Sequence, residues 1–236
     1  MIAYFFCKRF YQTVAVSSSA LFTFAAGAAL LPRLMHEGIA DAYYDTALNI
    51  TFLADANFAK TSHAATALAD GRFQTWYDAT NWVKSINVDG FDGWRLPNSD
   101  PSCHFPDYGS CDRLKSEYHY LFLADLGGTY GYNIATSHND NYALFRNIQG
   151  GWAYWSSTEF VPGWAFLWST ASTQPATAPK VPIYPVGAPY FAWPVRNGDI
   201  PIKLIEVSEP VELGLFGISL VSLALLRRKG LRIPAI

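Results

Sequence analysis

All eight tryptophans, Trp76, Trp82, Trp94, Trp152, Trp155, Trp164, Trp168 and Trp193, fall in the middle of the chain, and the two ends have none. Rings of that size bury 150–250 Å² each, so a segment carrying eight of them gains enough apolar burial to offset chain entropy. The middle therefore folds, and its length suits one domain rather than two. Charge narrows the choice of partner. The whole chain carries only −2, but from Ala29 to Glu209 there are 11 Lys and Arg against 18 Asp and Glu, a net of −7. Nucleic-acid binding needs a positive stripe that displaces counterions, and this acidic centre has none.

The N-terminus reads as an export signal. Lys8 and Arg9 precede an apolar stretch from Thr13 to Leu31, rich in Ala, Leu and Phe. Two small-x-small sites follow, Ala26-Gly27-Ala28 and Ala40-Asp41-Ala42. The first leaves an ordinary apolar region, so the signal is assigned to residues 1–28, with 42 as the latest position. An uncleaved anchor is the competing reading, because the run approaches bilayer-spanning length. Export agrees with cysteine use. Cys7 would leave with the signal, and Cys103 and Cys111 then form a candidate disulfide in an oxidising compartment. His104 lies between them, but two thiols and one imidazole at this spacing match no zinc pattern.

The C-terminus repeats the arrangement in reverse. Ser208-Glu209-Pro210 is followed by an apolar run from Val211 to Leu226, broken by Glu212, and then by Arg227-Arg228-Lys229. The run is short for a stable span, and its basic cluster would stay on the cytoplasmic side. These three parts resemble the PEP-CTERM sorting signal. That resemblance implies export through the Sec-type machinery and recognition by an exosortase, in a Gram-negative-type bacterium that makes extracellular polysaccharide. Ser208 ahead of Glu-Pro and the tail from Gly230 to Ile236 depart from the usual pattern. Terminal hydrophobic helices are expected at both ends, with residues 200–207 as a linker and 208–236 as the signal.

Between them, aromatic-rich segments alternate with Gly, Asn and Asp turns. Ala47 to Leu53 has β composition and predicts a first strand. Thr75 with Asp78 resembles a capping box, and Trp76, Ala79, Val83 and Ile86 follow at helical spacing to about Asn87. A second helix is expected from about Arg113 to Leu126, with Leu114, Tyr118, Leu121 and Phe122 on one face and Gly127-Gly128 as a left-handed stop. Trp152 to Thr158, Ala165 to Ser169 and Tyr190 to Val195 predict short strands. Helices first and strands later imply α+β rather than alternating units.

Several blocks resemble, in order, the domain of unknown function named for the C-terminus of the Lcl adhesin. They are Leu48 to Asn57, Asp70-Gly71-Arg72, Gly93-Trp94-Arg95-Leu96-Pro97, Leu126-Gly127-Gly128, Tyr154-Trp155-Ser156-Ser157-Thr158-Glu159 and Ala192-Trp193-Pro194-Val195-Arg196. The resemblance covers 43–199. It implies a compact C-type-lectin-like fold, similar also to formylglycine-generating enzymes, with two helices flanking a twisted, mostly antiparallel sheet. Pro194 departs from the small residue usual there and removes a ladder donor, which predicts an edge strand or a bulge. For Arg95 and Arg196 a structural role is expected, with stems packed and heads on a buried carboxylate or on carbonyls; ligand contact is the alternative. The Tyr154-to-Glu159 block is expected to supply core aromatics and a hydroxyl-lined turn.

No catalytic constellation emerges. There is no Gly-x-Ser-x-Gly elbow, and His63, His104, His119 and His138 are scattered. The Glu-Pro-Asn type of lectin motif is missing too. Asn139-Asp140-Asn141 offers oxygen ligands to a structural Ca²⁺, but a polar turn is the preferred reading. No cofactor is expected. The loop-rich stretch from Gly150 to Tyr190 carries the candidate ligand contacts, Trp164, Trp168, Tyr184 and Tyr190, among hydroxyl and proline neighbours. Rings of this kind bind at low entropy cost, so the expected function is a non-enzymatic surface or matrix module for polysaccharide or protein. An enzyme acting on envelope polymers and a purely structural surface protein are the alternatives.

Overall fold

The computed structural model describes residues 29–103, 112, 114–182 and 188–201. Both expected terminal signals lie outside these residues, as do Cys7, His104, Cys111, Tyr184, Ser208-Glu209-Pro210, Arg227-Arg228-Lys229 and the expected terminal helices. Among the described residues no helix is long and apolar enough to cross a membrane.

The first two strands are ones the sequence had hidden. β1 (Leu30–His36) and β2 (Ile39–Asp45) form an antiparallel hairpin closed by Glu37 and Gly38, both at positive φ. Two left-handed residues in a two-residue loop match the twist of the strands they join. Paired strands are thus already present at Leu30, ahead of Tyr43. The first strand overlaps the end of the apolar run assigned to the export signal. β3 (Ile50–Leu53) pairs next to β2 and is shorter than expected, because Thr46 to Asn49 turn, with Asn49 at positive φ.

A short α1 (Phe58–Thr61) is followed by α2 (Trp76–Ser85), the amphipathic helix predicted from its cap. The Thr75 hydroxyl accepts the Asp78 backbone N–H at 3.0 Å and donates to the Asp78 carboxylate at 2.7 Å. Ala79, Trp82 and Val83 face inward. β4 (Trp94–Arg95) comes next. The second helix differs from expectation. α3 (Glu117–His119) starts later than Arg113 and widens into a π-helical turn, Tyr120–Asp125. Leu114, assigned to its apolar face, is instead 62% exposed. Gly127 supplies the left-handed stop, with Asn139 packed where its Cβ would sit. A 3₁₀ turn spans Asp140–Leu144.

β5 (Ala153–Val161), β6 (Trp164–Ser169) and β7 (Gln174–Pro179) form a three-stranded antiparallel sheet. β8 (Val195–Asn197) returns to the first sheet, giving the order β1-β2-β3-β8-β4, also antiparallel throughout. The expected edge position for Pro194 does not hold, because β8 lies between β3 and β4. Proline is tolerated there because the ladder starts one residue later, and the Pro194 carbonyl still accepts Leu53 N–H at 3.1 Å. Just upstream, Phe191 exchanges backbone bonds with Ala153 and Trp155, so the 190–197 segment sews the two sheets together.

The architecture is mixed α+β, with antiparallel sheets and few helices. Neighbouring residues on the strands feed two cores. Leu53, Trp155 and Leu167 enter one with Trp82 and Trp94; Phe52, Tyr154 and Trp168 enter the other with Phe122 and Trp193. Period-two alternation puts successive side chains on opposite faces, so strands buried on both faces read as unbroken apolar runs. In the second core Phe122 stacks on Trp168 at 5.7 Å, and Trp193 meets Phe145 edge-on at 5.2 Å. Each such pair adds about 0.5–1.5 kcal/mol beyond area burial.

Candidate functional site

The two blocks that carry most of the family resemblance are stitched to each other. Ser156 and Ser157 hydroxyls donate to the Pro97 carbonyl, and Thr158 both accepts Ser99 N–H and donates to the Ser99 carbonyl. Arg95 makes a two-pronged pair with the nearly buried Glu117, at 2.6 and 2.7 Å. Glu117 in turn accepts Asn98 N–H at 2.7 Å. Arg196 donates to the Asp92 carbonyl at 2.9 Å. Both guanidiniums are therefore bound to protein groups. Glu159, at the end of its block, pairs with Lys180, whose ammonium sits 4.6 Å from the Trp76 ring. This seam is framework.

The four candidate ligand contacts are not assembled into a site. Trp168 is fully buried on Phe122, so it is a core residue rather than an exposed platform. Composition could not separate the two uses, since buried and exposed rings sit in similar sequence. Trp164 is half-buried, Tyr190 is half-buried and edge-on to Trp155 at 5.0 Å, and Tyr184 lies outside the described residues. The most exposed of the tryptophans is Trp152, at 45%, under the Arg72 guanidinium. Cys103 is buried and disulfide-bonded, whereas Cys111 is outside the described residues.

A concave site lies elsewhere, where the first hairpin meets the loops around Asn57, Val88 and Arg146. The cleft holds about 340 Å³ and is lined by His36, Asp41, Asp55, Asp89, Asn87 and Arg146 over an apolar floor that includes Leu53, Phe58 and Val88. A chain of ion pairs runs along it. Arg146 Nη2 meets Asp41 Oδ1 at 2.6 Å; Asp41 Oδ2 meets His36 Nδ1 at 2.5 Å; His36 Nε2 lies 3.3 Å from Asp89. Arg146 is fixed from behind, because its backbone exchanges hydrogen bonds with Ala54 and Ala56. Asp55 is buried and already engaged by Asn57 N–H, Asn147 Nδ2 and the Thr61 hydroxyl.

The electrostatics follow from this chain. The Asp41 hydrogen bond, and then the charge of Asp89, hold the exposed His36 imidazole above its ordinary range. Burial acts to raise Asp41, but the hydrogen bonds from His36 and Arg146 outweigh it and hold the carboxyl below the usual range. The ligand atoms of His36, Asp41 and Asp89 fall within 4.8 Å of one another, close enough to share a metal ion. Both imidazole nitrogens face carboxylates and Arg146 holds the other Asp41 oxygen, so the set as built is a charge-paired wall. The chain matches no family model, no curated protein and no solved structure. What the cleft can do is therefore read from its own residues. Carboxylates, amides and a guanidinium above an apolar floor suit a ligand with hydroxyl groups on one face and C–H groups on the other.

A second acidic feature is buried. Asp45, at the end of β2, accepts the Ala47 and Leu48 N–H groups through Oδ1, while its Oδ2 has no donor. Asp125, at the end of the π-helical turn, also has a buried Oδ2 without a donor. The two carboxyls interact, and burial, followed by the charge of Asp45, pushes Asp125 up to about 8. Burial raises Asp45 as well. Asn139 and Asn141 both donate Nδ2 to the Asp125 carbonyl at 2.9 Å, and Asn139 Oδ1 caps Asn141 N–H. The expected polar turn at Asn139-Asp140-Asn141 is thus present, and it sits against Asp125. Sequence reading missed the partner because Asp45 and Asp125 are far apart in the chain.

Proposed function

We propose that this chain is an exported surface or matrix protein whose domain is a non-enzymatic binding module for extracellular polysaccharide, engaged at the His36–Asp41–Asp89–Arg146 cleft. The observation that carries the reading is the cleft itself, an open concavity with paired charged groups above Leu53, Phe58 and Val88. Hydroxyl-rich rings offer donors and acceptors to such a wall and apolar C–H faces to such a floor. The finer fold assignment, a C-type-lectin-like domain related to the Lcl C-terminus, is proposed on the sequence blocks. It is supported by the way the Trp94-to-Pro97 and Tyr154-to-Glu159 blocks dock.

Export and sorting are proposed on the two terminal signals, with Sec-type machinery and an exosortase as partners and a cell-surface or matrix destination. The hairpin supports removal after Ala28 rather than after Ala42, since the later cut would take away β1 and half of β2. A Cys103–Cys111 disulfide fits the oxidising compartment this implies. The binding claim is tested by retention of acidic and neutral extracellular polysaccharides on immobilised protein. Arg146→Ala and Asp89→Ala should each lose at least about tenfold in affinity, the loss of roughly one charged hydrogen bond. Unchanged retention in both variants would move the site away from the cleft.

A further inference from the structure

The Asp70-Gly71-Arg72 block lies outside both the seam and the cleft, yet it is tightly held. Gly71 N–H donates to the Leu68 carbonyl and Leu68 N–H to the Arg72 carbonyl, each at 2.8 Å, which closes a tight turn. Glycine is required there, because φ is +91° and a Cβ would come within 2.0 Å of Asn57 Oδ1. Asn57 Nδ2 donates to the Asp70 carbonyl at 3.0 Å, and Asp70 Oδ1 accepts Arg72 N–H at 3.1 Å. The Arg72 side chain is then held at two more points. Its Nε donates to Asp70 Oδ2 at 2.6 Å, and its guanidinium carbon lies 4.3 Å from the centre of the Trp152 ring. Its two Nη groups meet no acceptor among the described residues, and neither is shut off from solvent. Trp152 is fixed in turn. Its backbone N–H donates to Thr170 Oγ1 at 3.1 Å and its ring meets Phe191 edge-on at 6.3 Å, yet 45% of the residue stays exposed.

A guanidinium pinned at Nε and across one face, with its outer fork open, is set for a carboxylate held bidentately. The ring beside it offers a rigid apolar surface at low entropy cost. Asp70 cancels one positive charge and Lys60 supplies another; Lys60 is exposed, has no ion-pair partner among the described residues, and its Cβ packs against Gly71. We infer that Arg72 and Trp152 form a subsite for a uronic-acid residue, with the carboxylate on the Arg72 Nη groups and sugar C–H groups on Trp152. A uronic acid carries its carboxylate on the ring itself, so one residue reaches both contacts. An acidic peptide carries its carboxylate on a flexible stem and brings no such ring face. α1 touches both this subsite and the cleft, since Phe58 and Thr61 line the cleft and Lys60 lies against Gly71. The inference rests on the polysaccharide reading above and adds that the polysaccharide is acidic.

The test is calorimetry on the purified full-length chain with hexagalacturonate, its methyl ester and poly-L-glutamate of similar charge. Hexagalacturonate should bind at least about tenfold more tightly than the ester, the worth of roughly one charged hydrogen bond. Arg72→Gln should abolish that preference, and Trp152→Ala should weaken binding of both sugars. Arg72→Lys keeps the charge without the fork and should keep only part of the preference, so it serves if Arg72→Gln does not fold. Equal binding of acid and ester, or an unchanged preference in either Arg72 variant, overturns the inference. So does poly-L-glutamate binding as tightly as hexagalacturonate, or a wild type that binds neither sugar. The cleft is read separately, because Arg146→Ala should weaken acid and ester alike and leave their ratio intact. An intact ratio with no loss in Arg146→Ala would sink the cleft reading alone. A ratio lost in Arg146→Ala but kept in Arg72→Gln would put the carboxylate in the cleft and overturn the subsite.

Discussion

The seam between Pro97–Ser99 and Ser156–Thr158 and the cleft around Asp41 are both polar, but they spend their polar groups differently. In the seam, hydroxyls meet backbone carbonyls, and Arg95 meets a Glu117 that is 7% exposed. Ser156 and Glu117 are buried there, so breaking their bonds leaves buried polar groups unpaired. In the cleft the charges meet one another in the open; the His36 side chain is 59% exposed and that of Arg146 is 42%. Exposed pairs contribute little to stability, because solvent screens them and long side chains lose entropy. The contrast separates framework from working surface. Buried groups that hold the fold are found in the seam, and the exposed His36 and Arg146, with freer access to solvent, line the cleft.

The seam should break first and hardest. Trp155→Ala removes a ring that is 1% exposed between Tyr190 and the first core, and should cost about 3–5 kcal/mol in urea unfolding. A loss below about 1 kcal/mol would mean the ring does not anchor the first core. Next, Arg95→Ala strands a nearly buried Glu117 and should cost about 2–3 kcal/mol. Arg95→Lys should recover only part of that, because an ammonium cannot make the two-pronged contact; full recovery would reduce the pair to simple charge. The cleft gives the smallest effect. His36 is raised in the folded state, so its pairing stabilises fully below about pH 6.5 and fades as pH rises through the higher folded value. The loss should be slight and vanish in about 1 M salt, where screening is nearly complete. Wild type and His36→Gln melted across that pH range would show it, and identical profiles would remove His36 from the ion-pair chain.

Legibility in the sequence follows the same division. The α2 helix was readable because Thr75, Asp78 and the spacing of Ala79 and Val83 are local signals. The Gly127 stop and the strands at β5 and β6 were readable for the same reason. β1 was not. Leu30 and Leu31 continue an apolar run, Pro32 argues against a strand, and the turn is Glu37-Gly38 rather than the Asn-Gly or Asp-Gly that marks most hairpins. β7 also escaped, since Gln174-Pro175-Ala176-Thr177-Ala178-Pro179 has little β propensity; it persists as an edge strand, where proline costs least. The cleft was invisible. His36, Asp41, Asp55 and Arg146 converge through β1–β2 pairing and the Asp55–Arg146 bridge, with Asp89 brought in on the Val88–Phe91 turn, and no short-range pattern announces such long-range contacts.

Arg33 pairs with Asp199 through two bonds, at 2.6 and 2.8 Å, so the first strand touches the last described turn. The two ends of the described residues therefore lie close to each other, as domain ends often do. A short tether from residue 201 back to residue 29 would circularise the domain without disturbing either sheet, and new ends could be opened at an exposed turn such as Val161–Gly163. Every strand pairing of the described sheets is made between Leu30 and Asn197, so the circle would keep all of them.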